Sequence, residues 1–255
     1  MFKVFNLTKG SAPPSWFAIK AVADDVVEIY IYDIIGQDWL GQGVSAAQFV
    51  RDLQDITAST IRLCINSPGG LVWEGVAIYN ALRRHPARVE VHVDGLAASI
   101  ASLIAMAGDT ITMAANAMMM IHNPWACCCG DARDMREYAD FLDKIRGQLA
   151  ETYAARSGKP VSDIVAMLDA ETWLTAAEAV ELGLADAATD MSAAATADIS
   201  IFNNPPSAAR QDAVTTAIAA APDQGGGPDL TRMRMRLALM TRGIPARQSR
   251  PTTTA

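Results

Sequence analysis

Between Ile65 and His122 the chain holds the parts from which a serine nucleophile can be built. Ile65-Asn66-Ser67-Pro68-Gly69-Gly70 is a turn, Asp94-Gly95-Leu96-Ala97-Ala98-Ser99 ends in a serine flanked by small residues, and Met120-Ile121-His122-Asn123-Pro124 carries a histidine. A serine hydroxyl is a weak nucleophile until a neighbouring imidazole takes its proton. The oxyanion its attack creates needs backbone N–H donors free of side-chain obstruction, which glycines supply. Ser99 is expected where a strand and turn give way to a helix, its hydroxyl at the positive helix end. Read alone, a serine beside alanines is more often a helix cap. Of the three histidines, His85 precedes Pro86 in a polar turn and His92 alternates with Val91 and Val93 on a strand, which leaves His122 as the candidate base. A strand-end histidine, too, is more often structural. Ser102, one turn after Ser99, reads as packing.

Composition narrows the setting of this chemistry. With 255 residues, 51% of them apolar, the chain can bury a full core in one domain with length left over. A formal charge of -7, without clustered Lys and Arg before the tail, argues against nucleic acid as partner. The longest apolar run, Leu96 to Ala107, is well short of the roughly 20 residues that span a bilayer and reads as a buried helix, so no membrane role is expected. Met1 to Pro14 is mixed and broken by Gly10, Pro13 and Pro14, unlike an export signal; a cytoplasmic location follows. Cys64, Cys127, Cys128 and Cys129 lack metal-ligand spacing, and neighbouring cysteines bridge poorly. No metal is expected, and a cysteine of the triple run is an alternative nucleophile near His122.

The elements that must position these groups alternate. Asp25 to Ile35, Thr60 to Asn66 and Val89 to Val93 read as strands, and Ser45 to Leu53 (with Ser45 as N-cap) and Val72 to Arg83 as helices. A helix from about Ala98 to Ala107 follows, then strands near Thr110 to Met113 and Met118 to His122. Asp131 to Ser157, with Met135, Tyr138, Leu142, Ile145 and Leu149 three or four apart, reads as one long projecting helix. Short helices follow at Ser162 to Leu168 and Thr175 to Leu182, the latter with a Thr175/Glu178 capping box and Gly183 at its end. Such alternation with short turns marks a layered α/β domain with parallel pairings. The domain division is an N-terminal arm over residues 1–24, a catalytic domain over 25–186, a flexible linker over 187–229 rich in Ala, Thr, Ser, Pro and Gly, and a basic tail over 230–255. Leu230 to Arg242 in that tail reads as a short amphipathic helix, either a frayed end or a docking segment.

Taken together, Asn66-Ser67-Pro68-Gly69-Gly70, Ala97-Ala98-Ser99, Met120-Ile121-His122-Asn123-Pro124 and Leu174-Thr175-Ala176-Ala177-Glu178-Ala179-Val180-Glu181-Leu182-Gly183-Leu184-Ala185-Asp186 resemble the ClpP family of self-compartmentalising serine peptidases, over roughly residues 25 to 186. The flanks Ile121-His122-Asn123-Pro124-Trp125 and Glu171-Thr172-Trp173-Leu174 look most like its phage relatives, the head maturation proteases. The resemblance implies a ClpP/crotonase-like fold of repeated strand-strand-helix units with a projecting handle helix, and a cofactor-free Ser-His-acid acyl-enzyme mechanism. It assigns Ser99 as nucleophile and His122 as base. The family's aspartate falls on Glu171, a departure, with Asp169 as the rival acid. Gly70 and Ile100 are the oxyanion-hole candidates, Ile100 because it follows the nucleophile. Asp131 to Ser157 matches the handle by which rings interlock, implying a homo-oligomeric ring or two stacked rings. The implied substrate is capsid or scaffold protein, cleaved without ATP in the host cytoplasm or inside a procapsid. Three other readings stand beside this one: a house-keeping subunit served by an ATP-driven unfoldase, an acyl-CoA hydratase or isomerase of related fold, and a non-enzymatic assembly scaffold with a decayed triad.

Overall fold

Alternating β-branched and polar residues build the strands that carry the molecule. In β2 (Val26–Tyr32), β3 (Thr60–Ser67) and β4 (Arg88–Ala98), Ile29, Ile31, Ile61, Leu63, Ile65, Val89, Val91 and Val93 are buried on one face. Their neighbours Glu28, Arg62 and His92 lie on the other, as the two-residue period of a strand requires. There Arg62 pairs with Glu28 at 2.7 Å and His92 Nδ1 with the Thr112 hydroxyl at 2.9 Å. This computed structural model describes residues 15–23, 25–36 and 44–189.

The remaining elements are β1 (Phe17–Ala23), α1 (Ala46–Gln54), α2 (Val72–Arg84), α3 (Ile100–Ala105), β5 (Thr110–Ala114), β6 (Met118–Ile121), α4 (Ala132–Ser157), α5 (Val161–Asp169), β7 (Thr172–Thr175), α6 (Ala176–Glu181) and β8 (Ala187–Thr189). One sheet runs β1-β2-β3-β4-β5-β8, with β6 beside β4 and β7 beside β6. The pairs from β2 to β5 are parallel, so each crossover needs a helix or long connection, and α1, α2 and α3 contribute Phe49, Leu53, Ile78, Leu82 and Ile104 to the core. The layered α/β architecture expected from the sequence is what the chain adopts.

Several boundaries differ from expectation. Residues 1–24 are not wholly an arm, because Phe17–Ala23 pairs antiparallel with β2. The strand expected over Asp25 to Ile35 stops at Tyr32, and Ile35 instead makes an isolated bridge to Gly70. The run Leu96 to Ala107 is not one helix. Leu96, Ala97 and Ala98 extend β4 against Met118, Met119 and Met120 of β6, and α3 starts only at Ile100. Residue 187 does not open the linker, since Ala187–Thr189 pairs with β5; residues 190–255, with the expected amphipathic tail, lie outside the described residues. Ser45 stands at the N-cap of α1 without a side-chain cap bond; the Glu74 carboxylate accepts the Ala46 N–H instead, a charge-assisted bond that outcompetes a hydroxyl. The Thr175/Glu178 capping box is present, and Asp131 forms another with Asp134 at the start of α4.

Candidate active site

Two parallel strands of unequal reach place the first pair of groups. The first part of β4 pairs with β5 and its last three residues with β6, so Ser99 leaves β4 beside the end of β6, where His122 follows Ile121. The Ser99 N–H donates to Met120 O at 2.9 Å, tying the two ends together. His122 Nε2 lies 2.8 Å from Ser99 Oγ. Ser99 has φ 54° and ψ -129°, a region a non-glycine residue occupies at a cost of about 1–3 kcal/mol and one that collects at functional sites. The sharp turn from strand to helix stands the hydroxyl out into the cleft, as at a nucleophile elbow.

Register decides which carboxylate meets the imidazole. β6 and β7 are antiparallel, with Ile121 opposite Thr172; one step further, position 122 faces 171. Glu171 is 7% exposed, and its charge acts on His122. The Trp173 indole N–H donates to Glu171 Oε1 at 3.4 Å. Asp169, at the end of α5, is occupied elsewhere. Its Oδ1 accepts from the Asn123 amide at 2.8 Å and pairs with Arg146 at 3.2 Å. Burial is the main influence on His122 and holds it below the ordinary imidazole value, while the Glu171 charge works the other way. The ring is therefore neutral, and able to accept a proton, through the neutral pH range.

The Gly-Gly turn approaches from β3. The Ser67 hydroxyl donates to Asp33 O at 2.6 Å and accepts the Gly69 N–H at 3.1 Å, which fixes the turn. Gly69 has φ 101°, and a Cβ there would stand 2.7 Å from Ser99 Cβ and 2.8 Å from Ala98 O; only glycine fits. At the bridge to Ile35, Gly69 O accepts the Ile35 N–H and the Leu71 N–H donates to Ile35 O. Alternation along the backbone then turns the Gly70 N–H away from Ile35. The Ile100 N–H begins α3, where a helix offers no internal acceptor. A small cleft lined by Ser99, Ile100, His122, Pro124, Leu149 and Tyr153 lies in front of these groups.

A hydroxyl at hydrogen-bond distance from a neutral, carboxylate-influenced imidazole is arranged for proton transfer and nucleophilic attack. Residues 19–191, more than half of the chain, match the family model described as Clp protease. The chain belongs to the Clp protease family. Membership makes this Clp protease a serine peptidase by class, in a family whose members act on protein substrates and form oligomeric rings. Gly69, whose sequence signal is the doubled glycine after a strand, and Trp173 join the site residues of this Clp protease through their contacts with Ser99 and Glu171. Ser102, expected as packing, is hydrogen-bonded to Ser99 O and to the hydroxyl of Tyr153, a residue with no sequence signal of its own. The His122 Nε2 that a Cys127–Cys129 nucleophile would need is instead engaged with Ser99. Among the described residues no group of His, Cys, Asp or Glu gathers to hold a metal ion, and no helix is long and apolar enough to cross a membrane.

Proposed function

We propose that this Clp protease family member is an ATP-independent serine endopeptidase that processes capsid or scaffold protein during phage head maturation, with Ser99, His122 and Glu171 as its catalytic residues. The observation that carries the reading is the 2.8 Å contact between His122 Nε2 and Ser99 Oγ at the strained end of β4. His122 accepts the hydroxyl proton at Nε2 as Ser99 Oγ attacks the scissile carbonyl carbon, and the oxyanion forms against the N–H groups of Gly70 and Ile100. The imidazolium then gives its proton to the leaving amine, the C–N bond breaks, and an acyl-enzyme remains. Water, deprotonated by His122, repeats the sequence and releases the new carboxyl end. Glu171 favours the tautomer with the proton on Nδ1 and stabilises the imidazolium.

The flanks of His122 and Glu171 support the phage reading, as does a tail beyond the family match, which ends at residue 191. Its setting would be the host cytoplasm or a procapsid. Co-expression with candidate phage capsid and scaffold proteins should yield shortened products with the wild type and none with Ser99→Ala, read by mass spectrometry. Cleavage only when an ATP-driven unfoldase is added would instead assign the chain to house-keeping proteolysis.

Ring assembly through α4 belongs to the same proposal. The apolar stripe of α4 divides in two: Ile145, Leu149 and Tyr153 are buried in the chain's own core, whereas Met135 and Phe141 are 51% and 44% exposed. Phe141 lies 6.2 Å from Trp73 of α2, itself 60% exposed. Leu142 packs on the core, so it is a poor probe of assembly. Phe141→Asp places a charge on the open half and should shift sedimentation from a ring to smaller species, with the thermal midpoint little changed. A wild type that sediments as a monomer would contradict the ring.

A further inference from the structure

Next to the nucleophile, two hydroxyl groups form a chain that the proton transfer does not use. Ser102, fully buried, donates its hydroxyl proton to Ser99 O at 2.6 Å. Its Oγ lies 2.8 Å from the Tyr153 hydroxyl. A serine has one hydroxyl proton, and here it is spent on Ser99 O, so the Tyr153 O–H must be the donor to Ser102 Oγ. Tyr153 is 3% exposed. Burial pushes its phenol well above the ordinary tyrosine range, so it keeps its proton throughout the neutral and mildly alkaline range. The Ser102 N–H also donates to Ser99 O, at 3.0 Å, and both lone pairs of that carbonyl are thereby engaged.

The consequence lies in the planarity of the peptide bond. Ser99 O and the Ile100 N–H belong to one peptide unit and point in opposite directions. Whatever holds the carbonyl therefore aims the N–H. This unit follows a residue with φ 54° and ψ -129°, a conformation that surrounding structure must hold in place, and a rotation of the plane would present the carbonyl oxygen where an oxyanion needs a donor. We infer that Ser102 and Tyr153 are positioning residues that lock the Ser99–Ile100 peptide plane so that the Ile100 N–H faces the reacting oxygen. The inference rests on the proposed serine peptidase mechanism and extends it to a device set next to the nucleophile, with one part supplied by α4.

The test is the labelling of Ser99 by a fluorophosphonate–rhodamine probe, whose phosphoryl oxygen needs the same donor, with the maximal inactivation rate separated from the probe's apparent binding constant. Ser102→Ala should lower the maximal rate by about 100-fold, the scale of losing one oxyanion donor. Tyr153→Phe, which keeps the ring and hence the packing, should lower it by a smaller factor. Ser102→Ala, which does not line the cleft, should change neither the binding constant nor the pH of the acid limb, which report on the cleft and on His122, and Tyr153→Phe should leave the acid limb in place. Because the two act in series, the double variant should be little worse than Ser102→Ala alone. Wild-type maximal rates in both single variants, with Ser99→Ala unlabelled, would overturn the positioning role and leave the mechanism standing. Losses that simply multiply in the double variant would also overturn it, since independent packing defects behave that way. A wild type that is not labelled at Ser99 would overturn the mechanism and, with it, this inference.

Discussion

Ser99→Ala should lower hydrolysis of a fluorogenic peptide by roughly ten-thousand-fold or more while fold and assembly persist. The Ser99 hydroxyl bonds to His122 Nε2, whereas the bonds that hold the elbow, Ser99 N–H to Met120 O and Ser102 N–H to Ser99 O, are made by backbone atoms that alanine keeps. Alanine at φ 54° carries much the same strain as serine, so the thermal midpoint should move little. His122→Ala should cost a similar factor, and the double variant should lose little more, because nucleophile and base act as a unit. Hydrolysis that survives Ser99→Ala would sink the mechanism.

Glu171→Gln is the second large effect, on the order of a thousand- to ten-thousand-fold in kcat, since it keeps the side chain's size but removes the charge that sets the tautomer and stabilises imidazolium. The pH profile adds a signed test. The base must be neutral to act, and burial lowers its pKa below the ordinary 6.5, so the acid limb of kcat/KM should fall below pH 6.5 in the wild type. The Glu171 charge raises that pKa against the effect of burial; its removal should move the limb to still lower pH in the residual activity. Asp169→Asn should have little effect. Asparagine retains an oxygen for the Asn123 amide, and an ion pair whose carboxylate side chain is 51% exposed contributes about 1 kcal/mol or less. If Asp169→Asn proves the more damaging change, Asp169 takes the place assigned to Glu171.

What could be read without coordinates was local. The three- and four-residue spacing of apolar side chains marks α1 and α4, the Thr175/Glu178 capping box marks the start of α6, and a β-branched run marks β2. Small residues around Ser99 and the Gly-Gly turn marked the chemistry. β1 carries no alternating pattern, since its residues other than Lys20 are all apolar, so no two-residue period announces it. Leu96–Ala98 reads as helix because Leu and Ala favour helices when nothing else competes; pairing with β6 overrides that preference.

What sets the two carboxylates apart is tertiary structure. Asp169 and Glu171 are two residues apart and look alike as bare sequence, yet the β6–β7 register sets one opposite His122 while the α5 end leaves the other to Asn123 and Arg146. Tyr153 and Ser102 meet across 51 positions of chain, with no pattern in either neighbourhood to announce it. Periodicity and capping act within a few residues and so are written along the chain. Strand register and hydroxyl contacts between distant elements depend on how those elements pack, and the physical cause is that a backbone or hydroxyl group satisfies its hydrogen bond with whatever the fold brings near, irrespective of distance in sequence.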